Sequence, residues 1–332
     1  MLSKNKKRAI LIVIDMIFSA FIWRVNALWG NDFITCLILS TTTFLIVFTP
    51  FEIYWSIRDI WFDRWMPLYL NHIQVSKVKI EVDGGFLSAN LVIHEDQKLI
   101  EAKNAVIILC HGFSDTKEKL QYYYLPLAHH GYIILAYDAR GTGESKNTGN
   151  RSDFLKRIED YNKIVEWTRN HNYLKQMKIY SVGFSIGATT VLCGGFNNKY
   201  VEKIIAISSM SHYDQNVPRL NPLIAFSYFM KGVKMFPNDE ENRNLSPYLI
   251  IESVKRNISK EEWQKFGKKV LLIHAKNDRI IKFKNFKENK FILELSDENQ
   301  LILKKGGHMH KKNELVLVGA SLRFFNSQSN GF

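Results

Sequence analysis

The segment Gly183-Phe184-Ser185-Ile186-Gly187 combines residue types and spacing suited to nucleophilic chemistry. It lies between an apolar, β-type run at residues 178–182 (Lys-Ile-Tyr-Ser-Val) and a small-residue run at 186–193 (Ile-Gly-Ala-Thr-Thr-Val-Leu-Cys) that reads as the start of a helix. A serine on so tight a strand-to-helix turn has its Oγ lifted clear of the sheet, and only small neighbours fit beside it. The helix N-terminus behind it offers free N–H groups and a partial positive charge to a developing anion. A serine hydroxyl needs an adjacent base, and the base needs a group to orient it. Asp278 follows the apolar run 270–274 (Val-Leu-Leu-Ile-His), and His308 follows 301–303 (Leu-Ile-Leu) within Gly306-Gly307-His308. In open α/β sheets functional groups gather at the carboxyl ends of strands, where all three residues fall. The expected roles are attack by Ser185, proton transfer through His308, and orientation of the imidazole by Asp278. His310 is a rival base two residues further on, and Asp297 and Glu298 read as solvated. His129 and His130 read as surface or helix-end residues. No His, Cys, Asp or Glu grouping has metal-ligand spacing, so neither a metal nor a cofactor is expected.

These residues require an alternation of strands and helices. Strands are predicted at 78–82, 90–94, 106–110, 132–137, 178–182, 203–207, 270–274 and 301–303, with a hairpin turn at Asp83-Gly84-Gly85. Helices are predicted around 119–129, 153–171 and 315–325, and after Ser185. Such alternation implies a mostly parallel sheet. No internal repeat or low-complexity tract interrupts it.

Two further motifs follow strands: His111-Gly112-Phe113, and Asp138-Ala139-Arg140-Gly141-Thr142-Gly143-Glu144-Ser145. With the Ser185 elbow, Asp278 and Gly307-His308, they make residues 76–327 resemble the α/β-hydrolase superfamily, in which the triad runs in the order Ser, acid, His. The resemblance is greatest to its monoacylglycerol-lipase, serine-aminopeptidase and dienelactone-hydrolase-like branches. Ala275, where a Gly is common, and Ile280-Ile281, where Val-Pro is often seen, depart from the pattern and loosen the assignment to a branch. The resemblance implies a mostly parallel central sheet flanked by helices, an inserted helical lid, and an oxyanion hole formed by the backbone N–H groups of Phe113 and Ile186. Fixed backbone donors stabilise a tetrahedral intermediate without reorganising. His111 is expected to brace its turn, and Asp138 and Arg140 to pin a loop. Gly141-Thr142-Gly143 is not followed by the Gly-Lys-Ser/Thr of a phosphate loop.

The chain has 332 residues. Residues 1–75 read as a membrane anchor and 76–332 as the hydrolase domain, long enough for one sizeable core. Cys36, Cys110 and Cys193 make no disulfide framework and read as small buried hydrophobes. Near the N-terminus, Lys4, Lys6, Lys7 and Arg8 precede an apolar run at 9–23 that carries one acid, Asp15. A break at 24–32 follows, then residues 33–51 carry no charge, long enough to span a bilayer. Asp15 is costly in lipid unless it faces a partner helix. A transmembrane helical hairpin accounts for this pattern, with both ends and the hydrolase domain cytoplasmic by the positive-inside rule. A single span with an interfacial helix, and interfacial binding alone, remain alternatives. Phe18-Ser19-Ala20 is a poor signal-peptide cleavage site. Residues 53–69, with Trp55, Trp61 and Trp65, suit a membrane-interface helix.

Between the predicted strands at 203–207 and 270–274, residues 209–267 are the expected lid. Phe226, Phe229 and Met230 are its candidate substrate contacts, positioned to take acyl chains or rest on lipid. The net charge of +13 comes without a nucleic-acid-binding motif, so membrane lipid is the expected partner rather than nucleic acid. The reading is a membrane-anchored serine hydrolase of small-molecule or lipid carboxylic esters, acylglycerols among them. Amide or peptide hydrolysis uses the same groups and is the nearest alternative. A non-catalytic binding protein of this fold is disfavoured by the intact Ser185, Asp278 and His308.

Overall fold

A computed structural model describes residues 4–61, 71–217 and 222–327, and the chain forms two compact units that divide at residue 64. The first contains two helices, α1 (Lys4–Leu28) and α2 (Phe33–Trp61), each long and apolar enough to cross a bilayer over Ala9–Leu28 and Phe33–Ile53. The sequence placed a break at 24–32, whereas helix α1 continues through Arg24 to Leu28. Asn26 Nδ2 donates back to the Ile22 carbonyl within that last stretch. The connection is only residues 29–32, because Asp32 caps α2 by accepting from the N–H groups of Ile34 and Thr35. Between the helices Ser40 Oγ donates to the Ser19 carbonyl at 2.8 Å, and Trp23 meets Phe33 edge-on. Asp15 and Ser19 are buried in this hairpin. The interface helix expected at 53–69 is a continuation of α2 as far as Trp61, and its remainder lies outside the described residues.

The second unit is built on eight strands: β1 (Ile73–Val82), β2 (Gly85–His94), β3 (Ala105–Cys110), β4 (Ile133–Tyr137), β5 (Lys178–Phe184), β6 (Val201–Ile207), β7 (Val270–Ala275) and β8 (Gln300–Leu303). Their order across the sheet is β1-β2-β4-β3-β5-β6-β7-β8. β2 runs antiparallel to both β1 and β4, and every later pairing is parallel. Every residue of β3 and β4 is buried, as expected for apolar runs covered on both faces. Alternate side chains of β3 feed two cores: Val106, Ile108 and Cys110 join one, Ala105, Ile107 and Leu109 the other.

Helices α3 (Gln97–Lys103), α4 (Gln121–His129), α5 (Phe154–Asn170) and α6 (Ile186–Gly195) alternate with the first six strands. Five more, α7 (Tyr213–Asn216), α8 (Pro222–Met230), α9 (Asp239–Leu245), α10 (Pro247–Arg256) and α11 (Lys260–Lys268), fill the interval between β6 and β7. α12 (Phe283–Leu293) and α13 (Glu314–Asn326) complete the chain. Residues of α5, α6, α10 and α12 pack on one face of the sheet, and residues of α4 and α13 on the other. The sequence took the lysines of 282–290 as a charged stretch. They lie instead on a helix whose Phe286, Ile292 and Leu293 are buried. The first hairpin is also longer than expected, because Gly84 and Gly85, both at positive φ, pair Val82 with Gly85 and extend the ladder to Ile73 and His94. Cys36 and Cys110 are buried and Cys193 is half-buried, all as free thiols.

Two buried lysines close helix ends. Lys203 Nζ donates to the carbonyls of Phe324 and Ser327 at the end of α13. Lys269 Nζ donates to those of Phe196 and Asn198 beyond α6, at 2.9 and 3.0 Å. Burial disfavours their charged forms, holding Lys203 at about 8 and Lys269 at about 7. Above pH 7 the unfolded chain therefore holds more protons at Lys269 than the folded one, so folding stability from this group rises with pH until the unfolded lysine titrates near 10.4. The urea midpoint of the detergent-solubilised protein should rise between pH 7.0 and 9.5. Lys269→Met should flatten that rise; an equal rise in the variant would assign it to other groups.

Candidate active site

Strand β5 ends at Phe184 and α6 begins at Ile186, so the whole change of direction falls on Ser185, at φ 55° and ψ −120°. A non-glycine residue in that region is strained by about 1–3 kcal/mol and needs a surrounding structure that imposes it. The Ser185 N–H donates to the Ile207 carbonyl on β6 at 2.8 Å, anchoring the turn to the sheet. A Cβ on Gly183 would collide with the Gly187 backbone, and one on Gly187 with the Cys110 and His111 carbonyls. Both glycines are therefore dictated by close backbone approach.

His308 Nε2 lies 2.9 Å from Ser185 Oγ, and His308 Nδ1 lies 2.8 Å from Asp278 Oδ2. An ionised carboxylate can only accept, so Nδ1 carries the hydrogen and Nε2 is left to accept from the serine hydroxyl. Asp278 Oδ1 also accepts from the Ile280 and Ile281 N–H groups at 2.9 and 3.0 Å, and Oδ2 accepts from Ser208 Oγ at 2.9 Å. Burial alone would raise the pKa of Asp278, but the hydrogen bond and charge of His308, the Ile280 N–H and the nearby His274 outweigh it and hold it below the ordinary carboxylate value. His274 Nε2 donates to the Ile281 carbonyl at 2.8 Å, fixing the turn that carries these N–H groups. The arrangement can abstract a proton from Ser185 and hold the resulting imidazolium beside a fixed negative charge.

The turn after β3 packs directly on the serine: a Cβ on Gly112 would lie 3.5 Å from Ser185 Cβ. Ile186 is the first residue of α6, so its N–H has no partner within the helix. Among the described residues, neither it nor the Phe113 N–H donates to a backbone carbonyl outside the regular elements. His111 braces this turn. Its Nε2 accepts from the Ala139 N–H at 2.9 Å, so Nδ1 carries the hydrogen and donates to the Gly112 carbonyl at 2.7 Å. Burial, helped by the Arg157 charge, lowers the pKa of His111 to about 4 and keeps the ring neutral. Asp138 binds the Lys117 N–H and ammonium and the Glu144 N–H, while Arg140 pairs with Asp160 through Nε and Nη2. Asp138 and Arg140 are thus both engaged in holding loops. Among the described residues no group of three or more His, Cys, Asp or Glu could hold a metal ion.

A family model described as serine aminopeptidase, S33, matches residues 101–251, which include the His111–Phe113 turn and Ser185. Solved structures share the fold. An esterase of Pyrococcus furiosus superposes with a TM-score of 0.54 at 19% identity, over 80% of this chain and 96% of its own. An acylaminoacyl peptidase of Pyrococcus horikoshii does so with a TM-score of 0.54 at 18% identity, over 76% of this chain and 40% of its own. An α/β serine hydrolase of Xanthomonas campestris, described as lacking a lid, gives a TM-score of 0.50 at 16% identity, over 79% of this chain and 96% of its own. Residues 101–251 thus resemble the serine aminopeptidase family, and the second unit has the fold of the α/β hydrolases. A search of the curated proteins finds no match.

The remaining candidate residues fall less simply. His310 lies beyond Asp278 from the serine: its Nε2 is 3.2 Å from Ser208 Oγ, which in turn bonds Asp278. The sequence placed Phe226, Phe229 and Met230 on the substrate, but the structure leaves them 63%, 65% and 67% exposed. At spacings of three and four they share one face of α8, and that face is turned outward. The inward position is Tyr228, whose ring meets Phe113 at 5.7 Å and joins a small apolar cluster with Phe154, Tyr213 and Ile186. Ser208 was missed altogether. It ends β6 at φ 54°, and a serine at a strand end carries no sequence signal until the loop that faces it is known. Ser208→Ala should lower kcat about 5- to 20-fold with little change in KM, because it removes one of four bonds orienting Asp278. An unchanged kcat in steady-state ester hydrolysis would leave the orientation of Asp278 to the Ile280 and Ile281 N–H groups.

Proposed function

We propose that the protein is a membrane-anchored carboxylic ester hydrolase working through an acyl-enzyme intermediate. The observation that carries this reading is the unbroken chain from Ser185 Oγ through His308 to Asp278, at 2.9 and 2.8 Å. Ser185 Oγ attacks the ester carbonyl carbon while its proton passes to His308 Nε2. The oxyanion is received by the Phe113 and Ile186 N–H groups. Collapse of the tetrahedral intermediate breaks the bond to the alcohol, which leaves with the proton from His308. Water then enters by the same route, giving up a proton to His308 as it attacks the acyl carbon, and Ser185 regains its proton as it departs. Asp278 remains an anion throughout.

Hydrolysis of amides or peptides is the second reading, favoured by the serine aminopeptidase model and by the likeness to an acylaminoacyl peptidase. Lipid and acylglycerol esters are the preferred substrates on the first reading, because two apolar helices would hold the enzyme at a bilayer. The anchor is a hairpin, with residues 29–32 outside and the hydrolase unit on the cytoplasmic side, consistent with the basic residues that precede α1.

Ser185→Ala should abolish labelling by a fluorophosphonate probe and lower kcat on 4-nitrophenyl esters roughly 10⁴–10⁶-fold, with His308→Ala costing about as much. Labelling that persisted in Ser185→Ala would move the nucleophile elsewhere. Faster turnover of aminoacyl 4-nitroanilides than of any ester would favour the peptidase reading. For the anchor, the full chain should remain in the membrane pellet through a carbonate wash. Trp29→Cys, in a Cys36→Ser background, should react with an impermeant maleimide from outside intact cells; labelling only after lysis would overturn the hairpin topology.

A further inference from the structure

An open cavity of about 590 Å³ lies between the loop at 141–151 and the end of α8. Lys146, Arg151 and Lys231 border it, together with Asn150 and Met230, and none of the bordering residues is acidic. Among the described residues none of the three cations is paired with a carboxylate, although most ionised side chains of this region are. Arg140 holds Asp160, Lys156 holds Asp83 and Glu159, and Lys117 holds Asp138 and Glu144. Asp153 is occupied in accepting from the Lys156 N–H at the start of α5. Three cations brought to one cavity without counter-charge repel one another. Burial and then the Arg151 charge hold Lys231 below the ordinary lysine pKa.

The walls are set by close packing. Gly141 sits against the Arg151 backbone, where a Cβ would collide. Gly232, at φ 75°, brings the segment after α8 against Ser152 and Asn150, where a Cβ would lie 3.1 and 3.2 Å from their side chains. One bordering residue, Lys231, reaches toward the turn that packs on Ser185. Lys231 Nζ stands 5.6 Å from the centroid of the Phe113 ring, and Gly112, one residue before Phe113, packs on Ser185.

We propose that this cavity binds an oxyanion group, phosphate or carboxylate, carried by the ester substrate itself, so that the preferred substrates are anionic amphiphiles with the anion seated on Arg151 and Lys231. Met230 at the rim, with Phe229 exposed beside it, would follow the apolar part of such a molecule. This rests on the esterase reading given above and names the substrate class for it.

The test uses two matched pairs in detergent-solubilised full-length protein: 1-octanoylglycerol against 1-octanoylglycerol 3-phosphate, and 4-nitrophenyl octanoate against mono-4-nitrophenyl suberate. In at least one pair the anionic member should have the higher kcat/KM. The anionic-to-neutral ratio should fall about tenfold or more in Lys231→Glu/Arg151→Glu, through KM, and partly in Lys231→Gln/Arg151→Gln. Fluorophosphonate labelling of Ser185 in each variant separates this effect from misfolding. A ratio unchanged by substitution in both pairs would overturn the proposal while leaving the esterase reading intact. So would a loss confined to the binding of phosphatidylglycerol vesicles, which would make the cations a membrane contact. If no ester is cleaved, the esterase reading fails, and calorimetric titration with 1-octanoylglycerol 3-phosphate still decides for the cavity. Saturable binding lost in the double variant supports it, and absence of binding in the wild type refutes it.

Discussion

The backbone of Ser185 is the constraint on which the rest of the site depends. A serine at φ 55° is held there only because neighbouring parts of the chain leave it no alternative. β5 fixes its N-terminal side, α6 its C-terminal side, and the Ile207 carbonyl on β6 its N–H. The glycines at 183 and 187 exist to let this happen, since each backbone passes within a side chain's breadth of another. The parallel centre of the sheet therefore does more than enclose a core. It presents the Ser185 hydroxyl at one edge, where the segments after β7 and β8 bring Asp278 and His308 to meet it.

Much of this was legible in the sequence because it depends on short, local patterns. An apolar strand, a G-x-S-x-G turn and a small-residue helix occupy consecutive positions, and Asp278 and His308 each follow their own apolar run. What was not legible depends on which surfaces meet. Ser208 becomes meaningful only once β6 lies beside β7 and its hydroxyl faces Asp278. α12 was hidden because its lysines recur among its apolar residues, while Phe286, Ile292 and Leu293 show helical spacing only when the charges are read as its outer face. In α8 the apolar character of Phe226, Phe229 and Met230 was readable, but the direction they face was not. That direction is set by Tyr228, which finds the rings of Phe113 and, through it, Phe154. The N-terminal break was placed too early because Arg24 looks like a helix end, whereas the cap that starts the next helix is Asp32.

The charged interior is equally organised. His111, Asp138 and Arg140 are used up in holding turns near the Ser185 elbow, and the buried lysines at 203 and 269 in closing helix ends. The three cations that border the cavity near α8, by contrast, are not paired with a carboxylate among the described residues. Net charge alone could not have distinguished them from a solvated basic surface; the distinction comes from where the carboxylates are already committed.

β8 is only four residues long and forms the outer edge of the sheet, yet the loop that follows it carries His308. Its ladder is paired on one side only, with β7. Short edge elements open at a lower free-energy cost than the strands between them. His308 can therefore separate from Ser185 while β3, β4 and β5 remain intact. On heating, opening at this sheet margin is expected to precede global unfolding, so the contact between His308 and Ser185 is lost before the core.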